Sequence, residues 1–512
     1  MTVPLRPLLT RLLIPLLAAV ACQPVRAQWW SSSSVDTPNY EQDAEYAPLH
    51  EARAVWLATI GGIDWPRTLA TDASSMRRQQ RELTDMLDRL QHAGINTVIL
   101  QTRIRGTVIY PSAIEPYDDC LTGTPGRSPG YDPLAFAVDE CHRRGMELHA
   151  WVVCIPLGTN TKQRELGSAS ILRRHPTLCK TVRGQVFMRP DQSGTAEYIA
   201  RLCQEIARKY DVDGISFDYI RYPEKPYAYT DNLSPKQRLN AINRIVQAVH
   251  DSIKPCFPWI KLSSSPLGRY ASTERYDANG WECLAAVYQD PRQWLREGWQ
   301  DMLFPMMYYR GDYFYPFLFD WLENNYGRPV IPGLGIYFLD PQYGQWRLDD
   351  LRAEMHTARQ AHCGGMAFYR AQFLLENHRG LLDATTQELF TLPALPLPMT
   401  WQTEDTLPPE PPADLHYRQG VLHWQSVDPA ATNEQSYIVY NVYASDHWPV
   451  DTTTPANLLA QRLMADSLVV SGYASARSYF AVTASDRFGN ESDPVQEPPL
   501  RPQLHQASPL TR

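Results

Sequence analysis

The chain is predicted to fold as a (β/α)8 barrel followed by a small all-β sandwich, and three observations predict it. Strand-like apolar runs alternate with amphipathic helical segments about eight times between residues 51 and 392, a pattern that implies a parallel sheet with helical crossovers. Several of those runs end in polar and aromatic clusters, at the end where a barrel carries its chemistry. Composition then changes at Leu392, where prolines lead into short alternating runs without helical periodicity. An open doubly wound sheet is the competitor. It is disfavoured because no G-x-G-x-x-G loop opens a helix, and Gly333 and Gly335 fall inside a strand-like run.

Ahead of the barrel, Arg6 and Arg11 precede the apolar run Leu12 to Val20, and Val25-Arg26-Ala27 supplies small residues before Gln28. That run is too short to cross a bilayer, so residues 1–27 are expected to be a signal peptide and the mature chain to be exported. Ala19-Val20-Ala21-Cys22 is a weak match to a lipoprotein box, which leaves a lipid anchor through Cys22 open. Residues 28–50, with Trp29-Trp30 and a serine run, read as a flexible leader.

The first strand spans Ala52 to Thr59 and its loop carries Asp64 and Trp65. Leu83, Met86, Leu87 and Leu90 share a helix face that stops at Gly94, and the second strand runs from Ile95 through Gln101 to Arg103. Asp132-Pro133 is an N-cap with proline at the first helical position, and Met146 to Val153 is the third strand. A long excursion through Met188-Arg189-Pro190-Asp191 and a helix with Ile199, Leu202 and Ile206 lead to the fourth strand. There Ile215 and Phe217 alternate with Ser216 and Asp218, and Pro223 stops the run. Ser234-Pro235 starts a helix with Leu239, Ile242, Ile245, Val246 and Val249 on its apolar face, before the fifth strand, Lys261 to Pro266. Asp290-Pro291 begins a short helix, Asp301 to Tyr308 is the sixth strand, and Val330 to Tyr337 the seventh. A helix across Leu348 to His362 and an eighth strand, Gly364 to Arg370, close the set.

Residues 393–413 are rich in proline and expected to be a stiff linker, 414–498 the all-β module, and 499–512 a tail. In the module, Tyr479-Phe480-Ala481-Val482-Thr483-Ala484-Ser485-Asp486, with Gly489-Asn490-Glu491-Ser492 behind it, resembles the last hairpin of a fibronectin type III sandwich. Such modules imply a spacer or accessory surface.

A net charge of −8 and a pI near 5.9 argue against nucleic acid or an acidic membrane surface as partner. The 28 Tyr and 14 Trp exceed what a core needs and suit a surface that grips sugars. Nine Cys include no C-x-x-C pair, so zinc-ribbon and thioredoxin chemistry lack support; Cys154, Cys203 and Cys363 read as buried thiols. No H-E-x-x-H or G-x-S-x-G motif appears, and neither a metal, a cofactor nor a serine triad is expected.

What remains is the set of strand ends: Asp64 and Trp65, Arg103 and Arg105, His149 and Trp151, Asp218, Tyr219 and Arg221, Tyr308 and Tyr309, Tyr337, and Tyr369 with Arg370. Taken singly, each is more often core packing or an ion pair. Placed together on one rim they suit an oligosaccharide cleft, with rings on sugar faces and Arg and His on hydroxyls. Glycoside cleavage takes two carboxyl groups. Asp218 is the first choice, with Glu115, Asp191, Glu224 and Asp64 as candidates for the second.

The barrel also resembles the glycosyl hydrolase-like 10 family. The resemblance rests on Arg53-Ala54-Val55-Trp56-Leu57-Ala58-Thr59, Gly94-Ile95-Asn96-Thr97-Val98, Tyr110-Pro111-Ser112 and Pro129-Gly130-Tyr131-Asp132-Pro133-Leu134. It continues through Arg144 to Trp151 and Asp213 to Tyr219. It implies an exported glycosidase of the bacterial envelope, periplasmic or associated with the outer membrane, that cleaves peptidoglycan glycan strands stripped of stem peptides. Asp218 matches the family's fourth-strand acid, and His149 and Trp151 its third-strand polar and aromatic positions. One departure stands out. After the second strand the family often carries an acid in an R-P-x-G-D-like loop, whereas this chain reads Arg103-Ile104-Arg105-Gly106-Thr107 and has no carboxylate before Glu115. A glycan-binding protein on a degenerate barrel is therefore the alternative to an enzyme. A second carboxyl about 5 to 10 Å from Asp218 separates the two.

Overall fold

The computed structural model describes residues 47–229, 231–401, 407–427, 437–470 and 479–496. The expected signal peptide, Cys22, most of the leader, residues 402–406 of the linker and the tail lie outside the described residues.

Eight parallel strands form one sheet: β1 (Ala52–Leu57), β2 (Thr97–Arg103), β3 (Glu147–Val153), β7 (Gly214–Asp218), β8 (Lys261–Ser264), β9 (Met302–Leu303), β10 (Gly333–Leu334) and β11 (Gly365–Phe368). Between β3 and β7 the excursion folds into a small antiparallel sheet of β4 (Pro156–Thr159), β5 (Cys179–Val182) and β6 (Gln185–Met188). The large sheet runs β10-β11-β1-β2-β3-β7-β8-β9, and parallel bridges Leu303↔Val330 and Met306↔Gly333 join its two ends. The barrel is closed.

Alternation sets what each strand buries. Val55, Leu57, Leu148, Ile215, Phe217 and Leu262 point outward into the core shared with the helices. Ala54, Trp56, Ile99, Trp151, Val153, Phe304 and Ala367 pack inside the barrel, where the alanines leave room for two indoles. The helices begin where the caps were expected. Asp132 accepts from the backbone of Leu134 and Ala135 at 3.1 Å ahead of Pro133–His142, and Ser234 makes a capping box ahead of Pro235–Ile253. Leu83, Leu87 and Leu90 of helix Ala73–His92 are fully buried, each contributing about 1.5–3 kcal/mol.

The sixth and seventh strands are far shorter than the sequence suggests. Pro305, Pro329 and Pro332 lack the N–H a ladder needs, so regular pairing shrinks to β9 and β10. Their carbonyls still accept, from Gly333 N at 2.8 Å (Pro305), Leu303 N at 3.0 Å (Pro329) and Ala367 N at 3.0 Å (Pro332).

The C-terminal part comprises two antiparallel sheets, β12-β13-β16 and β15-β14-β17-β18, built from β12 (Ala413–Arg418), β13 (Val421–Gln425), β14 (Val439–Ser445), β15 (Leu458–Leu463), β16 (Ser467–Val469), β17 (Tyr479–Ser485) and β18 (Val495–Gln496). Leu415, Leu422, Trp424, Tyr440, Val442 and Val482 form their common core. This unit does not hang free. It seats on the N-terminal end of the barrel, where Arg462 donates to Glu147 at 3.1 Å and to Asp213 at 2.7 Å, and Arg487 pairs with Asp211. Gly145, at φ +68°, is needed there, since a Cβ would stand 2.5 Å from the Gln461 carbonyl oxygen. The first residues of the expected linker are also held: His50 bridges Leu395, Lys261 donates to the Leu397 carbonyl at 2.7 Å, and Met399 N donates to the Phe488 carbonyl at 2.7 Å.

Candidate active site

The strand-end residues divide into a clamp locked in buried pairs and a group gathered at the C-terminal rim of the barrel. At its centre is Asp218, the last residue of β7, which is 6% exposed. Its carboxylate accepts the Tyr219 backbone N–H at 2.6 Å and the Trp151 indole N–H at 3.2 Å, and Arg221 Nη1 lies 3.9 Å away. Burial pushes the Asp218 carboxyl above the usual carboxylate range, against the pull of Arg221 and the two hydrogen bonds, and the Glu224 carboxylate adds to the rise.

The chain leaves β7 through Tyr219 at φ +50°, a left-handed conformation. Arg221 then lies 4.1 Å from the centroid of the Tyr219 ring. Its Nη2 is 3.4 Å from Glu224 Oε1 while its Nη1 faces Asp218. Burial works against the Arg221 charge, and the Glu224, Tyr219 and Asp218 side chains outweigh it and keep the guanidinium protonated. Sharing one guanidinium, the Asp218 and Glu224 carboxyls lie no more than roughly 10 Å apart, the upper limit for glycosidase pairs. Glu224 is the more open of the two, with 19% of its side chain exposed against 9% for Asp218.

Across the mouth stand three half-buried phenols. Tyr308 and Tyr369 have ring centroids 5.4 Å apart, and Tyr337 lies 5.8 Å from Tyr308 and 6.0 Å from Tyr369. Burial pushes the Tyr308 phenol well up, and its neighbours Tyr369, Tyr337, Asp218 and Tyr219 reinforce this, so it is a neutral hydrogen-bond donor. Arg105 is half-buried, bears on Tyr219 electrostatically and has no hydrogen bond or ion pair among the described residues. Trp151 lies deeper, inside the barrel, and reaches the site through its indole N–H.

Seven expectations are revised by burial or by pairing. Glu115 and Arg103 are locked together with neither side chain exposed: Arg103 Nε donates to Glu115 at 2.9 Å and Nη2 at 2.6 Å, and Tyr198 adds a 3.0 Å bond to the same carboxylate. Glu115 is thus no catalytic acid and Arg103 no sugar ligand. Asp64 accepts from the backbone of Ala58 at 2.8 Å and of Gln372 at 3.1 Å, and is ion-paired with Arg370. This pair ties the loop after β1 to the end of β11, so neither member is a sugar ligand. Trp65 is fully buried, its indole N–H donating to the Gln79 carbonyl at 2.8 Å. His149 is 1% exposed, one layer below Trp151, with Nε2 3.2 Å from Glu147. Asp191 is taken up by its own loop. Its contacts are Arg189 and Gln192, both at 2.7 Å, whose hydrogen bonds outweigh burial and hold it below the usual carboxylate range.

Sequence reasoning missed Arg269, whose guanidinium stacks 4.0 Å over Tyr309 in the loop after β8. It also passed over Ser265, which sits level with Asp218. Alternation along the fifth strand was the signal for Ser265; Arg269 lies past the strand, where no period reads.

Among the described residues no group of His, Cys, Asp and Glu is arranged to hold a metal ion, and no helix is long and apolar enough to cross a membrane.

Comparison with known proteins bears on this arrangement. A family model described as glycosyl hydrolase-like 10 matches residues 51–333, from β1 to the start of β10. Glycosyl hydrolase YngK of Bacillus subtilis is 29% identical over 392 residues, 70% of this chain and 76% of that protein. Glycosyl hydrolase DigH of Escherichia coli is 32% identical over 286 residues, which are 50% of this chain and 65% of that protein. Among solved structures, the PgaB (BpsB) glycoside hydrolase domain from Bordetella bronchiseptica has a TM-score of 0.46 at 12% identity, over 67% of this chain and 99% of that one.

Proposed function

The chain belongs to the glycosyl hydrolase-like 10 family, and from that premise we propose that it is an exported glycoside hydrolase acting on an amino-sugar polymer, namely peptidoglycan glycan strands lacking stem peptides. Asp218 is the general acid and Glu224 its partner, acting on a sugar laid against Tyr219, Tyr308, Tyr337 and Tyr369. One observation carries this reading: a carboxyl whose proton is favoured by burial shares a guanidinium with a more solvated carboxylate. That is how two acids are driven to opposite protonation states. The buried member gives its proton to the leaving oxygen while the charged one faces the anomeric carbon or its water. Arg105, unpaired at the rim, suits the lactyl carboxylate that a stripped strand exposes. Export rests on the charged and apolar pattern of residues 1–27, and the C-terminal unit is read as a fibronectin type III-like module.

The test is product analysis on glycan strands with and without stem peptides. New reducing ends are expected on the stripped strands only, falling by about 10²–10⁴-fold in Asp218→Asn. Binding without reducing ends in the unaltered protein would replace the hydrolase with a glycan-binding protein.

A further inference from the structure

Beneath Asp218 the barrel interior holds hydroxyls that the chemistry above does not use. Inward positions of β7 and β8 form a small lattice. Ser216 pairs in register with Ser263, and Ser265, whose N–H donates to the Phe217 carbonyl at 2.8 Å, stands one step further on beside Asp218. Adjacent strands are about 4.8 Å apart and same-face residues about 6.6 Å apart along a strand, so three serines and the acid occupy four corners of one cell. All three serines are buried at 2% exposure or less, and their Oγ atoms have no hydrogen-bond partner in the protein. His149 Nδ1, likewise without a partner, adjoins the lower edge, where a Cβ on Gly214 would stand 2.7 Å from it. Buried hydroxyls are rarely left unmatched, and three of them with an imidazole nitrogen at one place are the kind of partners an ordered water takes.

We propose that Ser216, Ser263 and Ser265 form a water-holding seat under Asp218, and that the seat is what fixes the carboxyl and its proton affinity from below. These serines are positioning residues: they touch the acid through water and never the sugar. The proposal rests on Asp218 being the acid of the proposed hydrolase, yet its test is independent of turnover. Donors reaching the inner oxygen of Asp218 favour its charged form and oppose the burial that favours the proton. The other groups facing this carboxyl are Trp151, Arg221, Glu224, Tyr219, Tyr308, Tyr369 and Cys154, and below the serines stand His149 and Glu147. None of these changes when a serine loses its hydroxyl, so the seat's share can be read alone.

The experiment is a carboxyl 13C titration of the full chain labelled at aspartate, with the Asp218 resonance assigned by its loss in Asp218→Asn. Ser265→Ala and Ser263→Ala are each expected to raise the Asp218 midpoint by about 0.4–1 pH unit, the equivalent of one hydrogen bond to its charged form. Ser265→Thr keeps the hydroxyl and is expected to titrate as the unaltered protein does. Midpoints that stay put in both alanine variants, or that move equally in the threonine variant, overturn the proposal. Thermal melts check that each variant is folded, and Ser216→Ala supplies a third, independent removal. If the protein proves to bind glycans without cleaving them, a shifted midpoint still upholds the seat while the hydrolase reading falls.

Discussion

Replacing Arg462 by Met tests whether the C-terminal sheets are part of the barrel or merely attached to it. Arg462 comes from β15 and is 14% exposed, and it donates to Glu147 and Asp213, which are 6% and 13% exposed. Lys261 donates to the same Glu147 at 2.6 Å, and His142 lies 2.9 Å from Asp213. Without Arg462, two buried carboxylates face one lysine and one histidine. Methionine fills the volume but leaves a negative charge unmatched, and removing one partner of a buried pair costs about 3–5 kcal/mol. Chemical denaturation at neutral pH should show a lower midpoint at unchanged slope, in a single transition followed by both near-UV and far-UV signals. Asp213→Asn removes the stranded charge, so the double variant should recover about 0.5–3 kcal/mol relative to the sum of the two singles. An Arg462→Met protein within about 0.5 kcal/mol of the original, the range of ordinary surface changes, refutes the argument. So would strict additivity with Asp213→Asn.

The same cluster predicts a pH dependence. Glu147 is held down to about 2 and Asp213 is held low, in both cases because the neighbouring cations outweigh burial. Their stabilisation is complete above the unfolded carboxylate value of about 4 and is lost as pH falls towards 2. The gap between the original protein and Arg462→Met should therefore narrow below pH 4, which acid denaturation curves will show. His142 has its proton affinity raised as Asp213 outweighs burial, so its contribution is present below about pH 6.5 and fades as pH rises through its folded value. Glu115→Gln strands the buried Arg103 charge and should cost about 3–5 kcal/mol while leaving kcat of the folded fraction unchanged, since that pair does not touch the rim. Arg105→Ala should weaken binding of a carboxylate-bearing glycan about tenfold or more with little effect on a neutral one, as titration calorimetry can measure.

The barrel was legible because its signals are local. Ile215, Phe217, Ser216 and Asp218 alternate within five residues, and Asp132-Pro133 and Ser234-Pro235 announce helix starts on their own. The clamp was not legible, because its pairs are remote in sequence or settled by depth. Asp64 meets Arg370 at a separation of 306 residues, and nothing near Asp64 says that the last strand will close beside the first and bring a guanidinium to consume it. Arg103 and Glu115 are only 12 residues apart, but a register shift between Gln101 and Arg103 sets Arg103 against the outward-facing Val152, and a strict period of two cannot show such a shift. His149 was misplaced for another reason: it is inward-facing, as the pattern requires, but one layer below Trp151, and a period gives the face and not the depth.

This division explains why the absence of an acid in the loop after β2 does not empty the site. The Arg103 side chain turns into the layer between strands and helices, to Glu115 and to the Cys154 carbonyl at 2.8 Å, knitting β2 to the end of β3. The two acids that remain come from one stretch of chain. Asp218 ends β7, Arg221 and Glu224 follow it at intervals of three residues, and Tyr219 takes a left-handed conformation between them. A pair carried on one loop keeps its spacing only while Arg221 spans it, because no second strand fixes Glu224. Arg221→Lys preserves the charge but replaces the planar guanidinium, which donates to Glu224 at 3.4 Å and lies 3.9 Å from Asp218, with a single ammonium that cannot stand against both carboxyls in the same way. It should therefore lower kcat far more than it raises KM, with Asp218 titrating at a higher pH as its counter-charge recedes. An Arg221→Lys protein that kept its kcat would mean that the two carboxyls are spaced by something other than this guanidinium, and Glu224 would lose its place as the partner of Asp218.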